Sequence, residues 1–451
     1  SRASELLISA GAQYDITGLK TWQGAGLPAQ TTGADGRVTV TIDQTQERAL
    51  LSWNRFDIGA NTTLQFNQKS NGTAQPGWVA VNRVSNATDP SLILGNMKAD
   101  GTVVVLNRAG IIFGKDSQVN THSLLASTLE IGNAARFVQG NTGETRATTI
   151  AERNRAYLES GLFLAANGTA GLAGQPGSAA LLVSGMTTED GKRFDEKTEG
   201  AIVVDSGARL ASGAGGYLIL TAPEITNGGL LTAIDGQVSL QAGRAVNFEA
   251  ATGSDESPDP YVRGYRLNSY VYDGRPGAVQ AGGSVVNSGI IESRRGYASL
   301  GAGADGSIVH GGLISATTSV SRNGKVSLTA GTINLAGSTN PAAASGIVIR
   351  ADENGETIPV GTANEPAKFK QSQIEIGTQV LAPGKFLTGA LVATDLRMGE
   401  NALIHAPGSD VAIGVNTLTE AGQRPVFNST HPGRIELGRG ALIDVAGLKD
   451  V

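Results

Sequence analysis

GQVSLQAG (236–243), GYASLGAG (296–303) and GKVSLTAG (324–331) share one frame, Gly-x-x-x-Leu-x-Ala-Gly, and a looser copy, GYLILTAP (216–223), stands 20 residues ahead of the first. Each octet is partnered by a second phrase: ITNGGLL (225–231), VVNSGII (285–291) and VHGGLI (309–314). Two phrases recurring together define a unit of about 20 residues. A unit that short, made of brief alternating runs separated by Gly or Asn, cannot bury its own apolar face and must stack on its neighbours. The fold class is therefore all-β, a right-handed parallel β-helix (solenoid) with an N-terminal β cap and extra-helical excursions.

Composition agrees. The chain has 451 residues and 62 glycines, about twice the usual share, and every corner of a coil needs a residue that accepts positive φ or close backbone approach. Aromatic residues make up only 5%, because a narrow interior is filled better by small and β-branched side chains. A formal charge of −5 leaves no basic surface, so nucleic acid is not an expected partner. Arg294-Arg295, the one basic cluster, reads as a solvated corner. No apolar stretch approaches the ~18 residues of a membrane span. The chain opens on SRASELL, which lacks a charged n-region and an apolar h-region, so any signal peptide has been removed. There are no cysteines, which suits a chain that crosses an oxidising periplasm unfolded.

Two domains are expected. Residues 1–200 hold the cap and the start of the β-helix, and 201–451 continue the shaft, with excursions at 248–276 and 338–370. The cap comprises short strands at Tyr14-Asp15-Ile16 and VTVTI (38–42) around a hairpin-like piece at 24–36, and it covers the open end of the coil. From Ala49 the strand rhythm begins, with Leu51, Trp53, Phe56, Ile58, Leu64 and Phe66 facing inward. TTIAERNRAYLES (148–160) breaks the rhythm: Thr149 and Glu152 have the spacing of a capping box, and a short helix leaning on the coil is expected. RIELGRGALIDVAG (434–447) is still in rhythm when the chain stops at Val451, which reads as part of something longer.

Catalytic patterns are sparse. A polysaccharide-cleaving β-helix needs carboxylates converging in a groove, whereas the acids here are dispersed at corners. Asp255, Glu256 and Asp259, and the run 352–356, have oxygen donors suited to calcium but read as solvated turns, the latter lacking the alternation of an EF-hand loop. His122, His310, His405 and His431 are far apart without zinc spacing. His310 replaces the corner Asn of the repeated phrase and is therefore structural. No metal, no cofactor and no catalytic residue is expected, and the chain is read as a non-enzyme. Tyr261, Tyr265, Tyr270 and Tyr272 fall in one excursion beside Arg263, Arg266 and Arg275. Such a set suits sugar or peptide contact, but a loop lying on a rod also needs large side chains to pack it down, and packing is the preferred reading.

TVVVLNRAGIIFGKDSQVNTHSLLASTL (102–129) resembles the secretion domain of two-partner secretion exoproteins, the filamentous haemagglutinin family of Gram-negative bacteria. That family typically carries Asn-Pro-Asn-Gly-Ile, then Phe-Gly, a strand, and a Leu-Leu-Ala-Ser-Thr phrase. Here those positions are Asn107, Gly110, Ile111, Phe113, Gly114, Leu124, Leu125, Ala126, Ser127 and Thr128, with Arg108 and Ala109 where the family usually has Pro and Asn. If the motif shapes a turn, Asn107 and Gly110 carry it. Upstream, SWNRFDIGANTTLQFNQ (52–68) and VNRV (81–84) resemble the family's preceding strands. The resemblance implies recognition by POTRA modules of a cognate outer-membrane β-barrel transporter. It also implies passage through the periplasm, and folding outside into a secreted or surface-exposed filamentous rod. Cell adhesion and biofilm formation, with host or bacterial surface glycans or proteins as further partners, follow from the same resemblance. The alternatives are a β-helical polysaccharide-processing enzyme and the shaft of a contact-dependent toxin delivery protein.

Overall fold

The computed structural model describes residues 21–85, 88–131, 154–155, 157–159, 161, 180–183, 200–250, 264–269, 283–318, 324–337, 345–351, 372–377, 393–415 and 433–446. Strands recur along the chain as three parallel ladders, forming the walls of a coil. Wall A includes Ile111–Phe113, Ile202–Val204, Glu224–Asn227 and Ser284–Asn287. Wall B includes Arg209–Ser212, Leu230–Ile234, Ile290–Arg294 and Leu313–Thr318. Wall C includes Arg48–Trp53, Val79–Val84, Tyr217–Ala222 and Gln237–Ala242. Long strands bend from one wall into the next, as Asn96–Leu106 and Gln118–Ser127 do from B to C. A β-helix solenoid is thus the observed fold. Each octet is a wall C strand, and each partner phrase runs from the end of a wall A strand through the corner into the start of the wall B strand.

Alternation decides which residues enter the core. On wall C, Val103, Leu124, Leu218, Val238, Ala298 and Val326 stack in register, and all are fully buried. Each Val or Leu among them contributes roughly 1.5–3 kcal/mol on burial. The expected inward set from Leu51 to Phe66 is also buried in the same core. At the N-terminal end Trp22 packs edge-on against Trp53 at 5.0 Å, and Trp53 against Phe56 at 5.4 Å. Trp22–Gln23 and Ala29–Thr32 pair antiparallel with Arg48–Trp53 and Val38–Gln44, occupying the free edges of the first coil. The expected cap is therefore present at these strands, while Tyr14 to Ile16 lies outside the described residues. The last described coil leaves Ile435, Leu437 and Leu442 exposed.

The corner glycines have a steric cause. A Cβ on Gly236 would stand 2.0 Å from the Gly216 carbonyl oxygen, and one on Gly296 would stand 2.4 Å from that of Gly236. Those carbonyls accept the amides of Gln237 and Tyr297 at 3.0 and 2.9 Å, so the space a side chain would need is taken by the hydrogen bond that joins the coils. At the same corner, immediately ahead of these glycines, Asp235 and Arg295 both take positive φ. Arg295 donates from Nε and an η nitrogen to the two Asp235 oxygens at 2.9 and 3.0 Å. The expected solvated corner is therefore an ion pair between successive coils, with side chains 24% and 17% exposed and worth about 1 kcal/mol.

A directional polar ladder runs inside the A-to-B corner. Asn227 Nδ2 donates to Asn287 Oδ1 at 2.8 Å, and Asn287 Nδ2 then meets His310 Nδ1 at 3.0 Å. His310 Nε2 lies 3.0 Å from the Gly346 carbonyl. With Asn287 donating, Nδ1 must accept and Nε2 must carry the hydrogen, which fixes a neutral imidazole. His310 is structural, as expected.

Two boundaries differ from the sequence reading. Ala245–Ala250 and Tyr265–Ser269 leave the coil and form a hairpin, so the expected excursion at 248–276 contains ordered strands and the coil departs ahead of it. Alternating Val246 and Phe248 are buried on the outside of wall C, a destination that alternation alone does not reveal. Gly346–Ala351, within the expected excursion at 338–370, is a wall B strand paired with Leu313–Thr318, with Ile347 and Ile349 in the core. The octet, which marks only wall C, gives no sign of this strand. The rest of both excursions lies outside the described residues, as do Thr149 and Glu152. Of the expected helix, 154–155 and 157–159 are helical.

Gly236→Ala is expected to destabilise the fold by about 1–3 kcal/mol, the usual cost of overpacking, read as a lower urea midpoint. His310 carries a pH prediction. Burial pushes its pKa below the ordinary 6.5, so below about pH 6.5 the unfolded chain binds a proton that the fold resists, and stability falls as pH drops. His310→Asn is expected to lessen that fall; an equal loss between pH 7.5 and 5.5 in both proteins would contradict it.

Candidate functional site

Wall C is unusual because several of its strands are apolar at consecutive positions: RALLSW (48–53), TVVVL (102–106), SLLAS (123–127) and YLILTA (217–222). Such runs belong to strands buried on both faces. Leu50, Val81, Val104, Leu125 and Ile219 form one outward column in register, and all are buried. Over them lies a second, four-stranded antiparallel sheet made of Glu130–Ile131, Ala180–Val183, Ala245–Ala250 and Tyr265–Ser269. Ile131, Val246, Phe248 and Leu267 join the outward column in a core separate from that of the coil. Further along, the column turns polar through Ser239, Ser299, Ser327 and Glu375. Ser239 and Ser299 hydroxyls lie 2.6 Å apart, and Glu375 pairs with Lys325 at 3.0 Å with both side chains under 5% exposed.

Arg83 latches the cover to the wall. Its guanidinium donates twice to the Glu130 carboxylate, at 2.9 and 2.7 Å, and once to Asn154 Oδ1 at 2.6 Å. The side chain is 2% exposed, and the bidentate geometry supplies the strong pairing that a buried charge requires. From the helical segment, Tyr157 donates its hydroxyl toward the Ala49 and Val79 carbonyls, at 3.0 and 3.1 Å. Burial pushes this hydroxyl far above the ordinary tyrosine range. Arg48 in turn donates to the Leu158 and Glu159 carbonyls at 3.3 Å.

The signature turn sits where wall C hands over to wall A. Gly110 N donates to the Asn107 carbonyl at 3.1 Å, and Ala109 N donates to Asn107 Oδ1 at 3.0 Å. An Asn at the first position and a Gly at the fourth are what a type I turn favours. Neither Arg108 nor Ala109 has positive φ, so the turn makes no demand for the family's Pro and Asn. Asn107 Nδ2 donates to the Asp89 carbonyl at 3.1 Å and to Ser91 Oγ at 2.9 Å, tying the turn to the preceding coil. Gly110 has φ of 127°, open chiefly to glycine.

The remaining signature residues are divided by the walls. Ile111, Phe113, Leu124 and Ala126 enter the coil core, and Leu125 enters the core beneath the cover. Gly114 lies against Leu94, whose side chain a Cβ would meet at 2.6 Å. Ser127 Oγ accepts from Leu129 N at 2.9 Å and from Thr221 Oγ1 at 2.8 Å, and Thr128 N donates to the Thr221 carbonyl at 3.0 Å. Asn107 to Gly114 thus form one corner and the strand that leaves it, and Leu124 to Ser127 lie on the next coil, in register with Val103 to Leu106 of the strand that enters the corner.

Of the tyrosine set, Tyr265 is described: it packs edge-on against Tyr217 at 5.6 Å and Phe248 at 6.0 Å, and burial raises the pKa of its hydroxyl. Tyr261, Tyr270, Tyr272, the acidic positions 255–259 and 352–356, and His431 lie outside the described residues. Among the described residues no group of three His, Asp or Glu is placed to hold a metal, and no helix is long and apolar enough to cross a membrane. Sequence reasoning missed Arg83, Glu130 and Asn154 as a unit. The doubly apolar runs of wall C were the available signal for a cover, but nothing local paired Arg83 with residues 47 and 71 positions away.

Residues 23–183 match the model of the TPS secretion domain, spanning the cap, the signature turn and the first half of the cover. The chain carries a TPS secretion domain. It is 31% identical over 102 residues to a heme/hemopexin-binding protein of Haemophilus influenzae strain Rd, covering 23% of this chain and 11% of that protein. A second Haemophilus influenzae heme/hemopexin-binding protein is 33% identical over 92 residues, covering 20% of this chain and 9% of the other. The matched stretches therefore span only about a tenth of these relatives. The crystal structure of the HMW1 secretion domain from Haemophilus influenzae superposes with a TM-score of 0.50 at 16% identity, covering 94% of this chain and 98% of that one, a likeness of fold.

Asn107→Ala removes the turn's side-chain acceptor and two donations, to the Asp89 carbonyl and Ser91 Oγ, at once. A loss of about 1–3 kcal/mol is expected, measured by chemical denaturation; an unchanged midpoint would show that the turn does not depend on Asn107.

Proposed function

We propose that this chain directs and begins a filamentous, adhesin-type exoprotein, recognised by the POTRA modules of its transporter, passed unfolded through the barrel, and coiled into a rod at the cell surface or outside. It acts as a carrier and shaft rather than as an enzyme. The observation that carries this reading is that residues 23–183 match the TPS secretion domain and include the Asn107–Gly110 turn with all ten signature positions. Asn107, Gly110, Ile111, Phe113, Gly114 and Leu124 to Thr128 are then the secretion signature, acting through the 107–110 corner and the strand of the next coil that stacks beside it.

Coil formation supplies the direction. Each coil adds aliphatic side chains to the core at roughly 1.5–3 kcal/mol apiece and leaves a strand edge that templates the next. Burial on the far side therefore opposes return through the barrel without a nucleotide-driven motor. The parallel ladders running on to Leu442–Asp444 support a rod that holds whatever it displays away from the cell. The heme and hemopexin in the relatives' names concern those proteins, and no ligand is carried over from them. Surface glycans or proteins of host or bacterial cells are the proposed targets.

In a Gram-negative host, coexpression with the cognate transporter is expected to place the chain on the surface or in the medium, and deletion of the transporter to hold it in the periplasm. Leu240→Asp, which puts a charge in the core of wall C, is expected to cut export several-fold with the transporter present. Equal release without the transporter would sink the secretion route, and full export of the variant would sink the folding-driven step.

A further inference from the structure

The cover is assembled from two separated pieces of chain. Ala180–Val183, which ends where the TPS match ends, pairs antiparallel with Ala245–Ala250. That partner belongs to a hairpin whose outer strand is Tyr265–Ser269, and between the two pieces the chain builds the coils that include Ile202–Val204 and Gln237–Ala242.

Two side chains of Gln237–Ala242 receive the hairpin. Gln237, fully buried, accepts from Tyr265 N through Oε1 at 2.8 Å and donates from Nε2 to the Tyr265 carbonyl at 2.6 Å. Its primary amide thus pairs with Tyr265 as a neighbouring strand would. Four residues on, Gln241 Nε2 donates to Ser269 Oγ at 2.6 Å, and that hydroxyl donates to the Ala242 carbonyl at 2.7 Å. The spacing of the two glutamines equals that of Tyr265 and Ser269, so both ends of the outer strand are held.

Two glycines are fitted to these glutamines. A Cβ on Gly264, which has φ of 92°, would lie 2.3 Å from Gln237 Oε1, and a Cβ on Gly301 would lie 2.1 Å from Gln241 Oε1. In the stacked columns the position of Gln237 is filled by Tyr217, Tyr297 and Lys325, and that of Gln241 by Thr221, Gly301 and Thr329. Among these coils only the one carrying both glutamines offers two amides to a crossing strand.

We propose that Gln237 and Gln241 form a docking register for the strand Tyr265–Ser269, making the hairpin of Ala245–Ala250 and Tyr265–Ser269 a clasp that closes the cover only after the coil bearing the two glutamines has formed. Until it closes, the edge of Ala180–Val183 that pairs with the hairpin and part of the apolar column on wall C stay uncovered. The clasp therefore completes the secretion domain from residues beyond the TPS match, and this inference stands apart from the export reading.

Hydrogen exchange on the full chain tests it. Gln237→Leu with Gln241→Leu keeps the bulk and removes both amides, and exchange in 245–250 and 264–269 is expected to accelerate about tenfold or more, while Glu224–Asn227 and Leu230–Ile234 stay protected. Unchanged exchange in the hairpin, or equal acceleration in all strands, would overturn the register. Gly264→Ala, which crowds Gln237 without removing it, is expected to loosen the same two segments. Pulse-labelled refolding of the unsubstituted chain decides the order whether or not the variants fold: protection at 264–269 must follow protection at 237–242, and simultaneous or earlier protection overturns the clasp.

Discussion

Every coil must hand its backbone carbonyls to the amides of the coil that follows, and that requirement governs the rest of the structure. At the corners the two chains approach so closely that a Cβ on Gly236 or Gly296 would meet the carbonyl of the preceding corner glycine. Glycine recurs there because the hydrogen bond and a side chain compete for the same space. Once corners align, strands between them fall into register, and alternating side chains are committed to the inside or the outside. The Asn227, Asn287 and His310 ladder obeys the same rule in side-chain form, since each group must be satisfied by the coil above or below.

Wall C departs from a simple shaft because its outside is also buried. Near the cap the outward column is aliphatic and roofed by the antiparallel sheet, and farther on it becomes serine, then the Lys325 and Glu375 pair. A charged latch at Arg83 and amide contacts at Gln237 and Gln241 fix the roof where hydrophobic contact alone would let it slide. The capped, roofed stretch and the later coils are therefore one continuous coil, distinguished by what covers wall C and by the cap, rather than by a change of fold.

Much of this was legible in the chain. The octets announced a stacked coil, alternation from Ala49 onward chose the inward residues, and the VHGG phrase marked His310 as a corner residue. The turn at Asn107 could be read from the preference of Asn and Gly for its first and last positions. The cover was not legible, because its strands at 180–183, 245–250 and 265–269 are joined by pairings across long separations and carry no repeat. The strand at 346–351 was missed for a related reason: it belongs to wall B, where the octet has no counterpart.

By itself the sequence determined the unit of the coil, the identity of its corners and the family signature, because these follow from short-range spacing, backbone freedom and side-chain size. Only the tertiary structure decided what lies over wall C. It brought Arg83 to Glu130 and Asn154, set Gln237 and Gln241 opposite Tyr265 and Ser269, and turned Tyr265 inward against Tyr217 and Phe248. The physical reason is that a coil contact repeats with every turn and leaves a period in the chain. A contact between two excursions occurs once, and only the packed wall determines which residues it joins.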